Sequence, residues 1–384
     1  MKRYLILCLF CVLGVLAAKA TNVHTKSYAE PSKPVYGMQM WYAPLLGSND
    51  KRAGNKKRLK QELDSLKALG VNTISVLAGT SFVSEPIDTT NLTYGRLVCL
   101  QEDESLLKGL DYVLNELRKR NMGAVVSITK QWNDANVSDE RCKDFVQTLA
   151  KRKNSYSKIA YSTDNTIVAW QICDVPNVSR MDSLQNYILW CAKQAQLLKQ
   201  SGMTQPVTIV YKPIVSREAE DERLFQSVMG EKNFDMVSVS FNPQQLGWVV
   251  VGDLYNALGK VYNKVSNLLQ TYVRIAQGID KPFVLTDCAY PRTAMFTRPA
   301  TNTDSRDSFF SFLKDEVNLN TQGDYSYLKG IMFNGWGGNA RPTKDVWIKP
   351  YDFTSEYPDE QKGSYAIFDN DESTLRLLRS FFSK

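Results

Sequence analysis

Two stretches of the chain each end an apolar run with an aspartate that could do acid–base chemistry. Asp174 lies within residues 170–176 and Asp287 within residues 281–289, and neither stretch contains a glutamate. Two neighbouring carboxyl groups raise the pKa of one member, so that one acts as an acid while the other stays ionised. Such a pair hydrolyses a glycosidic bond when its members flank that bond. The alternative is that both aspartates only accept hydrogen bonds.

Large aromatic residues form the second group of candidate functional side chains. Sugar rings pack their C–H faces on aromatic rings, and their hydroxyl groups need polar partners beside those rings. The candidate substrate-binding residues are Trp41, Trp132, Asn133, Trp248, Asn334 and Trp336. The alternative for each tryptophan is a place in the core, where most large aromatic side chains are buried.

The sequence excludes several other kinds of site. His24 is the only histidine and lies in the polar N-terminal lead, which argues against Ser-His or Cys-His catalysis and histidine metal sites. The five cysteines beyond residue 20 have neither zinc nor disulfide-scaffold spacing. Cys173 and Cys288 are expected to be buried free thiols, because opposite barrel strands hold their Cα atoms too far apart for a disulfide. We expect no metal and no cofactor.

Eight short apolar runs alternate with amphipathic helical patterns along the chain, which indicates a parallel sheet with crossover helices. No Gly-x-Gly-x-x-Gly turn follows the first run, so a dinucleotide-binding sheet is disfavoured. At this length the pattern predicts an α/β fold with a single (β/α)8 TIM barrel over residues 35–384. The predicted strands are 37–42, 73–78, 124–128, 167–173, 207–210, 236–240, 283–285 and 330–333.

The first twenty residues read as a secretory signal peptide. Lys2 and Arg3 precede an apolar run, and Ala18-Lys-Ala20 fits a cleavage site. We therefore expect a secreted or periplasmic protein with a polar lead at 21–34 and no transmembrane span in the mature chain. Removing Lys2, Arg3 and Lys19 lowers the formal charge from +7 to +4, which is too mild to argue for a nucleic-acid partner.

The chain resembles the mannanase branch of glycoside hydrolase family 5 over almost its whole mature length. The resemblance implies hydrolysis of β-mannan with retention of configuration, no cofactor, and a site at the C-terminal ends of the barrel strands. It is carried by residues 37–43, 58–72, 109–114, 164–171, 289–292, 335–338 and 363–374.

The catalytic positions that the resemblance implies are not preserved. Val175 stands where the family has its acid/base glutamate, and Asp287 stands where it has its nucleophilic glutamate. Ser75 replaces the arginine that supports the nucleophile, and Phe241 replaces a histidine. Near the eighth strand, the resemblance aligns Trp336 with the aromatic sugar platform, and an alternative register aligns Asn334 with the neighbouring tryptophan position.

These departures favour a non-catalytic protein that binds β-mannan or a related polysaccharide. The first alternative is an active hydrolase that uses Asp174 and Asp287 as a rearranged carboxylate pair. The second alternative is a structural or partner-binding barrel without a glycan ligand.

Overall fold

The computed structural model describes residues 34–87, 92–131, 138–174, 184–214, 218–250, 252–292, 302–321, 326–342, 353–360 and 362–382. All of these residues belong to one compact unit, Lys33–Lys384. The predicted signal peptide and most of the polar lead lie outside the described residues.

A parallel sheet of nine strand segments forms the barrel. The segments are β1 (Val35–Gln39), β2 (Thr73–Leu77), β5 (Gly123–Thr129), β6 (Ile167–Cys173), β7 (Val207–Thr208), β8 (Val210–Tyr211), β9 (Val237–Ser240), β10 (Phe283–Cys288) and β11 (Leu328–Phe333). Their order in the sheet is β7-β6-β5-β2-β1-β11-β10-β9-β8. The fifth barrel strand is split, since β7 pairs with β6 and β8 pairs with β9. The predicted (β/α)8 barrel is confirmed.

The predicted first strand is wrong at both ends, because β1 covers Val35–Gln39 rather than 37–42. Trp41 and Tyr42 instead form a turn that leads into the short helix Ala43–Gly47. Pro44 lies in the first turn of that helix, where its fixed φ and missing N–H are tolerated.

Two small additional sheets went unpredicted. An antiparallel hairpin, β3 (Ser81–Ile87) with β4 (Leu92–Val98), follows the second barrel strand. A short parallel pair, β12 (Trp336–Gly338) with β13 (Ile367–Phe368), follows the eighth. Both sheets follow C-terminal ends of barrel strands, the end at which this fold places its sites.

Helices surround the barrel, and three of the described helices begin at residues whose side chains cap them. Asn55, Asp103 and Ser138 each accept a backbone N–H of the first turn through their side-chain oxygens. No helix among the described residues is both long and apolar enough to cross a membrane. Besides Ala43–Gly47, the helices are Lys56–Ala68, Glu104–Lys119, Asp139–Lys151, Leu184–Gln200, Glu218–Met229, Leu258–Gly278, Asp304–Asn320 and Glu372–Phe382.

A small apolar cluster contributed by several barrel strands packs separately from the main core between sheet and helices. Its members are Val35, Val125, Ala169, Met236, Val284 and Met332. Gly37 leaves room for Met332, since a Cβ at residue 37 would lie 2.4 Å from the Met332 Cγ. The absence of a side chain at residue 37 is therefore a packing requirement.

We expect Gly37→Ala to lower the free energy of unfolding by about 1–3 kcal/mol, because the methyl group overpacks this cluster. Denaturant unfolding followed by circular dichroism measures the change. Gly259→Ala is the matched control, because a Cβ there meets open space on a helix, so its effect should be neutral or slightly stabilising. Equal effects of the two substitutions would contradict the packing argument.

Candidate active site

The two aspartates singled out in the sequence lie at the C-terminal ends of β6 and β10. Asp174 directly follows β6, and Asp287 is the penultimate residue of β10, with a left-handed backbone at φ 48°. Their exposed fractions are only 4% and 7%. Burial raises the pKa of Asp174 to about 6, and the Asp287 charge contributes to that rise. The two carboxyls are therefore close enough to interact.

Asp174 is held by donors from three parts of the chain. Its Oδ1 accepts the Gln171 Nε2 amide at 2.7 Å, and its Oδ2 accepts the Gln39 Nε2 amide at 2.8 Å. The Tyr357 hydroxyl also donates to Oδ2. The same hydroxyl accepts from Gln39 Nε2 at 2.9 Å, so Gln39, Tyr357 and Asp174 form a closed triangle.

Asp287 is held separately, by neighbours on adjacent strands. Ser240 Oγ donates to its Oδ2 at 2.7 Å, and Asn334 Nδ2 donates to its Oδ1 at 2.6 Å. Burial raises the pKa of Asp287, while these two hydrogen bonds and the Lys212 charge oppose that rise. Lys212 is itself held by Gln245 Oε1 at 2.6 Å.

Residues 353–360 bring a third carboxyl group to this end of the barrel. Glu360 Oε2 accepts the Tyr357 backbone N–H at 2.7 Å, and its Oε1 accepts from Gln245 Nε2. Burial raises the pKa of Glu360 to about 7. Tyr357 and Glu360 were not among the predicted site residues. Their stretch of the sequence carries only the signal of a long polar loop near the eighth strand.

The predicted sugar-stacking tryptophans that the structure describes are buried. Trp41 is 2% exposed, packs on Tyr357 with ring centroids 5.6 Å apart, and donates its Nε1 to the Glu356 carbonyl at 3.2 Å. Trp336 is 1% exposed and Trp248 is 9% exposed, with Lys264 over the Trp248 ring at 5.4 Å. A stacking role for these rings stays a prediction.

The remaining predicted residues divide between the core and the undescribed segments. Phe241, at the position of the family's histidine, is fully buried and stacks on Tyr272 at 6.4 Å. Cys173 and Cys288 are buried and are not joined by a disulfide, as expected. Of the candidate polar residues, Asn334 lies in the site through its contact with Asp287. Trp132, Asn133 and Val175 lie outside the described residues.

The donor set around the two aspartates consists of amides and hydroxyls rather than metal ligands. In the part of the chain that the structure describes, no group of three or more His, Cys, Asp or Glu side chains is arranged to hold a metal ion. What this site presents is a buried, polar, hydrogen-bonding surface around two interacting acids.

Comparison with known protein families identifies the family of this chain. The model for the GH family 5 beta-mannosidase-like group matches residues 19–137 and 133–384. The chain therefore belongs to this glycoside hydrolase family.

Curated relatives match over a limited stretch. The mannan endo-1,4-beta-mannosidase 1 of Solanum lycopersicum is 26% identical over 123 residues, which cover 25% of this chain and 31% of that protein. The mannan endo-1,4-beta-mannosidase 3 of the same plant is 28% identical over 99 residues, or 19% of this chain and 25% of that protein. The matched stretches span a third or less of these relatives.

Solved structures support the same fold over nearly the whole chain. A family 5 mannosidase from Rhizomucor miehei superposes with a TM-score of 0.74 at 18% identity, covering 91% of this chain and 92% of that one. An endo-1,4-beta-D-mannanase from Thermotoga petrophila gives a TM-score of 0.61 at 14% identity, covering 91% and 99%. At such low identities these matches establish the barrel fold alone.

The raised pKa of Asp174 predicts a pH-dependent stability. Because the folded-state pKa rises from 3.8 to about 6, the folded protein holds this proton more tightly than the unfolded chain. The associated stability is full below pH 4 and is lost as pH rises through 6. Asp174→Asn removes this titration, so its loss of stability between pH 4 and 8 should be smaller than the wild type's by about 1–3 kcal/mol.

Urea unfolding at a series of pH values measures this difference. Asp144→Asn, on an exposed face of the helix Asp139–Lys151, is the control and should follow the wild-type pH curve. Parallel curves for wild type and Asp174→Asn would show that the Asp174 carboxyl does not titrate in this range.

Proposed function

We propose that this protein is a secreted, non-catalytic member of family 5 that binds β-mannan or a related polysaccharide at the C-terminal mouth of its barrel. The observation that carries the proposal is the hydrogen bonding of the two acids. All four carboxylate oxygens of Asp174 and Asp287 accept hydrogen bonds from the protein itself. In a retaining hydrolase one carboxyl protonates the leaving group and a second attacks the sugar, whereas here donors of the protein itself hold every one of these oxygens.

The sequence around the aspartates supports the same proposal. Val175 stands at the acid/base position and has no proton to give, and general acid catalysis contributes about 10²–10⁴-fold to such reactions. Asp287 is one methylene shorter than glutamate, and attack on the anomeric carbon tolerates little extra distance. Both departures remove catalysis without removing the polar surface of the barrel mouth.

The choice of ligand rests on family membership and on the chemistry of the mouth. The curated relatives bear names that specify mannan, and amide and hydroxyl groups such as those of Gln39 and Asn334 suit sugar hydroxyls. Secretion is proposed from the N-terminal sequence, in which a basic start and an apolar run precede Ala18-Lys-Ala20. A secreted protein would have access to polysaccharides outside the cell, which is consistent with this choice of ligand.

Calorimetry of residues 21–384 with injected manno-oligosaccharides tests the proposal. We expect a saturable heat that returns to baseline, with the sugar recovered intact. Trp132→Ala should weaken the binding if that ring stacks on the ligand. Sustained heat with shortened sugar would contradict the non-catalytic proposal, and absence of heat would favour the structural or partner-binding alternative.

An active hydrolase is the second candidate, and one observation favours it. Burial raises the pKa of Asp174 to about 6 and the Asp287 charge adds to the rise, as expected of a carboxylate pair that divides acid and base roles. If this pair hydrolyses glycans, Asp174→Asn should reduce the rate of reducing-end release at least about 100-fold, since it removes the acid. Unchanged hydrolysis in Asp174→Asn would exclude this pair as the machinery.

A further inference from the structure

Residues 353–360, called here the latch segment, contact the loops that follow four different barrel strands. The Glu356 carbonyl accepts from Trp41, after β1, and Asp359 pairs with Lys130, after β5. Tyr357 donates to Asp174, after β6. These loops belong to the first, third and fourth barrel strands.

The fourth loop lies farther around the barrel. Glu360 accepts from Gln245, in the loop after β9, the sixth barrel strand. A segment that contacts the loops of the first, third, fourth and sixth strands extends across the mouth rather than along one edge. The latch segment therefore covers the surface on which a glycan would bind.

Tyr357 makes the central contacts of the latch segment. It is 1% exposed, its hydroxyl completes the triangle with Gln39 and Asp174, and its ring packs between Trp41 and the Lys130 ammonium, 4.5 Å from the ring centroid. A phenolic hydroxyl that both accepts from an amide and donates to a carboxylate makes the same hydrogen bonds as a sugar hydroxyl.

Two buried acceptors on the residues that hold the aspartates lack partners. Gln39 Oε1 and Asn334 Oδ1 are buried and accept no hydrogen bond in the structure. An unpaired buried acceptor costs about 1–3 kcal/mol, so a ligand that supplies donors there gains affinity. Sugar hydroxyls are such donors, and Gln39 and Asn334 are also the residues that hold the two aspartates.

We propose that Tyr357 closes the glycan site as a latch, and that a hydroxyl-rich ligand binds only when it displaces the Tyr357 hydroxyl from Gln39 and Asp174. This inference rests on the proposed glycan-binding function and adds the residue that controls access. Part of the binding free energy opens the latch, so the apparent affinity of the wild type is the intrinsic affinity multiplied by the fraction of open molecules.

Tyr357→Phe tests the latch, because it keeps the ring and removes only the hydroxyl. We expect the affinity for mannotetraose to rise about three- to tenfold, because the closed state loses both hydrogen bonds of the Tyr357 hydroxyl, to Gln39 and to Asp174. Tyr161→Phe is the matched control, since Tyr161 is also buried and donates to a carboxylate, that of Asp111, at 2.6 Å. Its affinity should equal that of the wild type.

A second readout needs no ligand. The Tyr365 and Ala366 amides donate to Glu356 Oε1 at 2.8 and 2.7 Å, so their hydrogen exchange reports on the latch segment. Exchange should become about tenfold faster in Tyr357→Phe and stay unchanged in Tyr161→Phe. Asp359→Asn removes the ion pair with Lys130 from an exposed position and should shift exchange in the same direction if Tyr357→Phe does not fold.

The affinity measurement and the hydrogen-exchange measurement test the latch and the proposed glycan binding independently. Faster exchange with no glycan binding in any variant would support the latch segment and reject glycan binding. Unchanged exchange together with equal or weaker affinity in Tyr357→Phe would overturn the latch, because Tyr357 would then be part of a permanently open ligand surface.

Discussion

The burial of two acids at the barrel mouth is the constraint on which the arrangement of this site depends. A carboxylate removed from water is costly unless hydrogen bonds or opposite charges replace its hydration. Here the replacement comes mainly from neutral donors: Gln39 and Gln171 for Asp174, and Ser240 and Asn334 for Asp287. Neutral donors compensate a charge less well than a guanidinium does, so the pKa of each acid is raised rather than lowered.

The same constraint shapes the barrel strands beneath the mouth. Ser127 accepts the Gln171 amide at 2.7 Å, and Thr208 donates to Ser238 at 3.0 Å, so polar side chains on neighbouring strands bond to one another. The separate apolar cluster that includes Val35 and Met332 is packed closely enough to require glycine at residue 37. Of these polar positions, Ser127 orients Gln171, a donor to Asp174, and the apolar positions supply burial energy.

The barrel could be predicted from the sequence because its strands are short, apolar and separated by amphipathic helices. The predicted fourth strand has the same bounds as β6, because every residue of Ile167–Cys173 except Gln171 is apolar. The first strand is predicted too far along the chain because Trp41 and Tyr42 are as apolar as a strand, although Pro44 lies in the first turn of the helix just beyond them. Periodicity does not distinguish a buried turn from a buried strand end.

The site was predictable only in part, for a physical reason. Asp174, Asp287 and Asn334 end strands, and parallel strands bring their carboxyl ends to one face, so topology alone places them together. Tyr357 and Glu360 come from a segment without periodicity, and their contacts with Asp174 and Gln245 span 183 and 115 residues of sequence. No local pattern encodes contacts of that range.

For the proposed absence of catalysis, the residue at the arginine position that the family resemblance implies matters more directly than the shorter side chain of Asp287. A retaining nucleophile must be ionised, and a guanidinium beside a carboxylate lowers its pKa. In this chain the position that the family resemblance assigns to that arginine is Ser75, which pairs with Gln39 in the sheet. The charged groups that act on the Asp287 carboxyl then include Lys212, whose own pKa is lowered by burial. Under the proposed function, an acid without a neighbouring guanidinium would serve as a hydrogen-bonding group at that position and would be a poorer nucleophile.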